Sequence, residues 1–344
     1  MPPFLAPTLT DVAKKAGVST ATVSRCLNTP DRVAKRTQDK VEDAIATLGY
    51  TPNYGARVMA SKRTYTIGAI VPTMENAIFA RGLQAFQDAL HEQGYTLLVA
   101  SSSYDPKIEE EQIRTFVSRG VDGLLLIGHD RSSEIIDYLE EKNVPTIVAW
   151  AHNPKARLPS VGFNNFAAMS DLTRHVLSLG HRRIGMISAW TKSNDRARER
   201  VNAVRYVMLK SLGSKNELIL LETDYGIKTG EEAFGKIINR SYPPTVVICG
   251  NDVLAAGALK KASTLGLLVP RDVSITGFDD IDLAYLATPA LTTVHIPHRK
   301  MGTNAARTLL AMIRDRNFRI LEELKSNLVI RSSLEKPANS RQYL

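Results

Sequence analysis

The sequence is short of cysteine. Its two thiols, Cys26 and Cys249, lie far apart in 344 residues, each inside an apolar pattern. That spacing excludes a disulfide framework and offers no metal pair, so both read as reduced, buried thiols. Long hydrophobic runs are missing as well: none approaches the ~18–20 residues needed to cross a bilayer. The opening MPPFLAPTLTD puts no basic stretch ahead of an apolar one, which predicts a cytoplasmic protein. The seven histidines are scattered without ligand spacing, and no metal or cofactor is expected. Catalytic signatures fail in turn. GEEAFGKI (230–237) comes close to a phosphate-binding loop but lacks the Ser/Thr that holds magnesium and lies in a helical pattern. GVSTA (17–21) lacks the final glycine of a nucleophile elbow, and HEQGY (91–95) has Tyr95 where a zinc-protease helix needs its second histidine. The chain is not expected to be an enzyme.

What is present is a large, mixed composition, 44% hydrophobic and 23% charged, with length for two or three domains. The net charge of +9 is unevenly spread: residues 1–63 hold ten cations and five anions, giving +5 in less than a fifth of the chain. Concentrated positive charge favours a polyanionic partner. The same segment carries TLTDVAKKAGVSTATVSRCLN (8–28), two short helical patterns around Gly17. Thr10 is read as the first cap, with Asp11 at the positive end of the helix dipole, and Ser19 as the second. At ~100° per residue Val23, Cys26 and Leu27 share one arc of the second helix, while Thr20, Ala21, Ser24 and Arg25 share another. Val41, Ala44, Ile45 and Leu48 repeat on a third helix. Three helices around one small core could be a plain cap, but short side chains and one arginine on the free face suit a helix-turn-helix that sinks into the major groove.

These residues, with KVEDAIATLGYTPN, GNDVLAAGAL and DVSITGFDD further on, resemble the LacI/GalR family of bacterial transcription regulators from about Thr8 to Ser333. The resemblance implies a DNA-binding set of Thr10, Ser19, Thr20, Ala21, Thr22, Ser24, Arg25, Asn28, Arg32 and Thr37, with Thr20 and Ala21 at base edges. Arginine can bond guanine bidentately, whereas Ala21 offers only apolar contact, for example to a thymine methyl. Two positions depart from the pattern. Ala34 replaces the usual Ser before the third helix and Gln38 an Arg, which weakens a cap and a phosphate contact; Arg32, Lys35 and Arg36 can compensate. Residues 1–52 form this domain. Residues 53–64 follow as a linker: Pro52 stops the third helix, Asn53 can cap a new one, and Gly55 weakens it. Alone that segment reads as flexible. The family implies a hinge helix formed when two copies pair on DNA, contacting it through Asn53, Ala56 and Arg57, with Met59 as the apolar wedge in the minor groove.

From Tyr65 apolar strand-like runs alternate with amphipathic helices in two successive sets, TIGAIVP to TIVAW and RIGMISAW to VSITGF. Continuous Val/Ile/Leu strands indicate parallel sheets covered on both faces. The fold class is therefore α/β: two doubly wound parallel sheets behind an all-α head. The resemblance makes them a periplasmic-binding-protein-like core, with an N-terminal lobe of 65–163 plus 296–323 and a C-terminal lobe of 164–295 plus 324–344. Ligands of open α/β sheets bind beyond the carboxyl ends of the strands, here at a cleft between lobes. The effector set implied there is Asn76, Phe79, His129, Trp150, Trp190, Arg198, Arg200, Tyr225, Asn251, Asp279 and His298, with Asp252 read as a helix cap. Aromatic faces with Asp and Asn forks suit sugars. Arg198, Arg200, His152 and His298 favour an anionic one, a sugar acid, and SSSYDPKIEEEQI and VGFNNFAA resemble the gluconate-repressor branch.

The expected function is a ligand-switched transcription regulator, most often a repressor in this family, binding a palindromic operator as a homodimer. The tail LEKPANSRQYL holds no leucine heptads, so a dimer is expected over a tetramer. A solute-binding protein for sugar transport shares the core architecture, but it predicts a signal peptide and no basic head.

Overall fold

In the computed structural model residues 7–51, 63–75, 77–213 and 217–338 are described, Asn28 for its backbone alone. The hinge residues Asn53, Ala56, Arg57 and Met59, and Asn76 of the effector set, lie outside them. The chain divides into units of residues 1–64 and 65–344.

The first unit is helical. Helix α1 spans Leu9–Ala16, α2 Thr20–Asn28 and α3 Lys35–Leu48, with a single 3-10 turn at Pro30–Arg32. Val12, Ala13, Ala16, Val23, Val41, Ala44 and Tyr50 are its buried core, with Cys26, Leu27 and Ile45 packed around them. The cap of α1 is Thr8, not Thr10. Thr8 Oγ1 accepts from the Asp11 N–H at 3.3 Å, and the Asp11 carboxylate accepts from the Thr8 N–H at 2.9 Å. That reciprocal box satisfies two amide donors, and the Thr8 bonds hold the Asp11 carboxyl below its usual range. Thr10 lies inside the helix and is exposed. Gly17 takes φ +69 and ends α1, a conformation that a side chain disfavours.

In the second unit six strands form one parallel sheet in the order β11-β5-β4-β3-β1-β2, and four form another in the order β7-β6-β8-β9. Their ranges are β1 Thr66–Val71, β2 Thr96–Ser101, β3 Gly123–Ile127, β4 Thr146–Ala149, β5 Ser160–Gly162, β6 Ile184–Ala189, β7 Ile219–Thr223, β8 Val246–Cys249, β9 Ser274–Thr276 and β11 Leu321–Glu323. An antiparallel pair, β10 Thr293–His295 with β12 Asn327–Val329, forms a separate two-stranded sheet whose strands flank β11 in chain order. Central strands β1, β3, β4, β6 and β8 are buried along their whole length, because helices cover both faces. The chain order reverses between β1 and β3 in one sheet and between β6 and β8 in the other. Both switch points open a crevice at the strands' carboxyl ends.

The helices of this unit are α4 Ala77–His91, α5 Pro106–Ser118, α6 Ser133–Glu141, α7 Asn165–Ser178, α8 Asp195–Leu212, α9 Ile227–Ile238, α10 Asp252–Thr264, α11 Asp282–Leu286 and α12 His298–Arg314. Gly230 of GEEAFGKI sits where α9 crosses α10: a Cβ there would lie 2.5 Å from the Leu254 carbonyl oxygen. One on Gly257 would lie 2.0 Å from that of Ile227. Those glycines let two helix backbones touch.

Candidate DNA-binding surface and effector cleft

Helix α2 offers the free face of the head. Ser19 caps it, accepting from the Thr22 N–H at 3.1 Å and sharing a 2.9 Å bond with the Thr22 hydroxyl. Both hydroxyls therefore hold the helix start in place. Thr20, Ala21 and Arg25 are exposed, Ser24 is half-buried, and Val23 points into the core. Ala34 stands at the N-cap of α3 without a side-chain bond, so that start lacks the help a Ser would give. Gln38 is spent on structure: its amide donates to the carbonyls of Pro30 at 2.8 Å and Val33 at 2.7 Å, closing the loop before α3. Arg32 is exposed and Thr37 half-buried.

The lobes of the core meet at the carboxyl ends of their strands, and several ties cross between them. The His129 N–H donates to Asp195 Oδ2 at 2.6 Å, Arg198 Nη1 to Asp130 Oδ2 at 2.8 Å, and the Ser193 hydroxyl to the Tyr104 carbonyl at 3.2 Å. Arg81 pairs with Asp282 on a further edge.

Beneath these ties lies a buried polar ring. Arg200, 4% exposed, donates from Nε to Asn165 Oδ1 at 2.9 Å and from Nη1 to the Gly250 carbonyl at 2.6 Å. Its guanidinium lies 3.8 Å above the Phe278 ring, a cation–π contact, and its Nη2 is 3.8 Å from Asp279 Oδ1. Asn165 Nδ2 donates to the Trp150 carbonyl at 3.0 Å, and Trp150 Nε1 donates to His298 Nδ1 at 3.2 Å. His298 Nδ1 must then be the bare nitrogen, so Nε2 carries the proton and donates to the Asp279 carbonyl at 3.3 Å. Burial pushes His298 down to about 4, consistent with this neutral tautomer. Asp279 Oδ1 is buried with no hydrogen-bond donor, and burial raises its carboxyl to about 7 against the pull of Arg200 and Arg196.

Outside this ring is a cavity of about 620 Å³, within the range of ligand sites. The N-terminal lobe supplies Thr73, Glu75 and Tyr104, the C-terminal lobe Trp190, Asp224 and Tyr225. Tyr104 and Tyr225 approach at 6.0 Å between ring centroids. Of the sequence-derived effector set, Trp190 and Tyr225 line this cavity, while Arg200, Trp150, Asp279 and His298 form the ring behind it. Phe79 is buried edge-on against Trp150. Asn251, expected at ligand hydroxyls, caps α10 by accepting from the Leu254 N–H at 2.9 Å. Asp252 is not that cap: it is buried, accepting from the Thr293 hydroxyl at 2.7 Å and the Ile281 N–H at 2.8 Å. His129 Nε2 is buried without a partner, and burial lowers its pKa to about 4. Arg198 is tied to Asp130, and His152 lies 3.8 Å from Glu323. Sequence reasoning missed Tyr104, Asn165 and Asp224. Asn165 was within reach, since it stands in GFNN directly after a strand.

Comparison with known proteins follows the same division. Residues 8–53 match bacterial regulatory proteins of the lacI family, and residues 173–334 match the periplasmic binding protein-like domain. The transcriptional regulator DegA of Bacillus subtilis is 32% identical over 304 residues, which cover 88% of this chain and 90% of DegA. The transcriptional repressor PurR of Photobacterium profundum is 31% identical over 330 residues, 95% of this chain and 98% of PurR. Among solved structures, the lac repressor dimer bound to operator and the anti-inducer ONPF matches 96% of this chain and 99% of its own, with a TM-score of 0.84 and 25% identity. These relatives are regulators, not enzymes. With a helix-turn-helix head, two parallel α/β lobes and relatives matched along nearly its whole length, the chain belongs to the LacI family of bacterial transcription regulators.

Proposed function

We propose that the chain is a cytoplasmic repressor that binds a palindromic operator as a homodimer and is switched by a carbohydrate in the cleft between its lobes. The observation that carries this reading is the free face of α2: Thr20, Ala21 and Arg25 are exposed over a buried Val23. Short side chains allow the helix to enter the major groove, and Arg25 is the one long donor that can reach a base or phosphate. The lac repressor, bound to its operator as a dimer, supports the same arrangement here. Two heads imply half-sites about one helical turn apart. The hinge residues 53–64, with Met59 as minor-groove wedge, would connect cleft and operator. The cleft's aromatic walls and carboxylates support a hydroxyl-rich ligand over an apolar one.

Selection of duplexes from a random library by the full-length protein, followed by titration between 50 and 200 mM salt, tests the reading. It predicts an enriched palindrome and an affinity falling at least about 100-fold across that range. An unstructured pool, or a binding curve indifferent to salt, would refute it. Replacing Arg25 by Ala should weaken the selected site by about 1–3 kcal/mol and leave folding unchanged.

A further inference from the structure

We propose that the core holds DNA in its own right: a stripe of cations along α12 and the turn after it grips phosphates of the duplex flanking the operator. This rests on the DNA-binding reading above and extends it beyond the head. Three observations carry it.

The first is the distribution of charge. Residues 299–319 hold six cations, Arg299, Lys300, Arg307, Arg314, Arg316 and Arg319, against one anion, Asp315. That gives +5, equal to the excess of residues 1–63, and leaves the rest of the chain at net −1. Charge concentrated in this way favours a polyanion.

The second is that this charge is turned outward and uncommitted. Met301, Ala305, Leu309 and Met312 bury one side of α12, and a Cβ on Gly302 would lie 2.0 Å from the Gly82 carbonyl oxygen of α4, so the helix is closely seated. Seven residues make nearly two turns, which lines up Lys300, Arg307 and Arg314 on the opposite side, ~10 Å apart. All six cations are exposed, and none forms an ion pair among the described residues. Arg114 and Arg174, equally exposed, are paired with Glu110 and Asp171. No large apolar side chain is exposed between residues 298 and 319. A protein interface needs an apolar centre, whereas phosphates need only donors and positive charge.

The third is place. Arg314 donates to Gln93 Oε1 at 2.7 Å, just before β2, and Arg316 to the Asn143 carbonyl at 2.9 Å, just before β4. The stripe therefore ends where the strands of the larger sheet begin. The chain from the head enters the core at that same end: Tyr65 leads into β1, and its ring packs 5.3 Å from that of Tyr95. With only residues 53–64 as tether, a duplex held by the head stays at high local concentration around this end, so individually weak phosphate contacts add to affinity.

Fluorescence anisotropy of the full-length protein on two duplexes tests this: the selected palindrome alone, ~20 bp, and the same palindrome inside ~60 bp with unrelated flanks. The long duplex should bind about tenfold more tightly, with a log–log salt slope steeper by about 2–3, since each neutralised phosphate adds ~0.9. Replacing Arg307, Arg314 and Arg316 together by Gln should abolish that advantage. Affinity for the short duplex should stay within about twofold, which also shows that the head is intact. Replacing the same three by Lys should keep most of the advantage, because a phosphate contact of this kind needs charge more than a guanidinium fork. Equal affinity for the two duplexes, or an advantage that the triple Gln variant retains, overturns the proposal and leaves the head's DNA reading standing. Binding of poly-glutamate that the triple Gln variant loses, with no advantage for the long duplex, assigns the stripe to an acidic protein and overturns it as well. Failure to bind either duplex overturns both readings.

Discussion

Asp279 shows how a single residue sets the chemistry of the buried ring. It stands at φ +101 after β9, is 2% exposed, and keeps Oδ1 without a hydrogen-bond donor. Its native pKa of about 7 lies above the ~3.9 of an unfolded aspartate. The folded state therefore holds a proton that the unfolded chain has released, an advantage fully present below pH ~3.9 and lost as pH rises through about 7. Asp279→Asn copies the protonated form. The melting-temperature difference, variant minus wild type, should move about 2–4 °C in the variant's favour between pH 5.5 and 8.5. A difference that stays constant across those pH values would show that this carboxyl does not titrate there. The family resemblance marked Asp279, Arg200 and His298 in the sequence as effector residues. It could not reveal that they bond one another through Asn165 and Trp150, because that ring joins five separate stretches of chain.

At the scale of elements, periodicity located the helices and strands well, but local competition decided their ends. Both Thr8 and Thr10 can cap a helix; Thr8 wins because Asp11 stands three residues on and returns the hydrogen bond. Thr8→Ala should lower the stability of the head by about 1 kcal/mol, seen as faster hydrogen exchange of the α1 amides in the full-length protein. Ala34→Ser should act oppositely on α3 by supplying the absent cap, by about 0.5–1 kcal/mol, and unchanged protection of the α3 amides would count against it. Apolar runs also conceal position within a sheet. TLLVAS reads as a fully buried strand, yet β2 is an edge strand with Val99 exposed, and only the strand order shows this. Gly230 of GEEAFGKI mimics a phosphate-loop residue in sequence, but together with Gly257 of GNDVLAAGAL it serves helix contact. Gly257→Ala should therefore destabilise the core by more than about 2 kcal/mol through its 2.0 Å clash with the Ile227 carbonyl, measurable as a lowered urea midpoint.

At the scale of the molecule, the head and the core each carry one half of a switch. The head presents a groove-reading helix, and the core has two lobes joined by ties that ligand and solvent can compete for. Arg198–Asp130 and Arg81–Asp282 bridge the lobes near solvent, where ion pairs are individually weak, so small changes in ligand contact can shift the balance between lobe positions. Linkage allows such a ligand either to strengthen or to weaken DNA binding, but requires that the coupling run equally in both directions. The most direct measurement is the affinity of the full-length protein for its selected palindrome, with and without a saturating cleft ligand, beside the affinity for that ligand with and without the palindrome. The account predicts that both ratios depart from one by the same factor, between about 5 and 150. Ligand bound in the cleft with no change in operator affinity, or equal binding to every duplex offered, would contradict it.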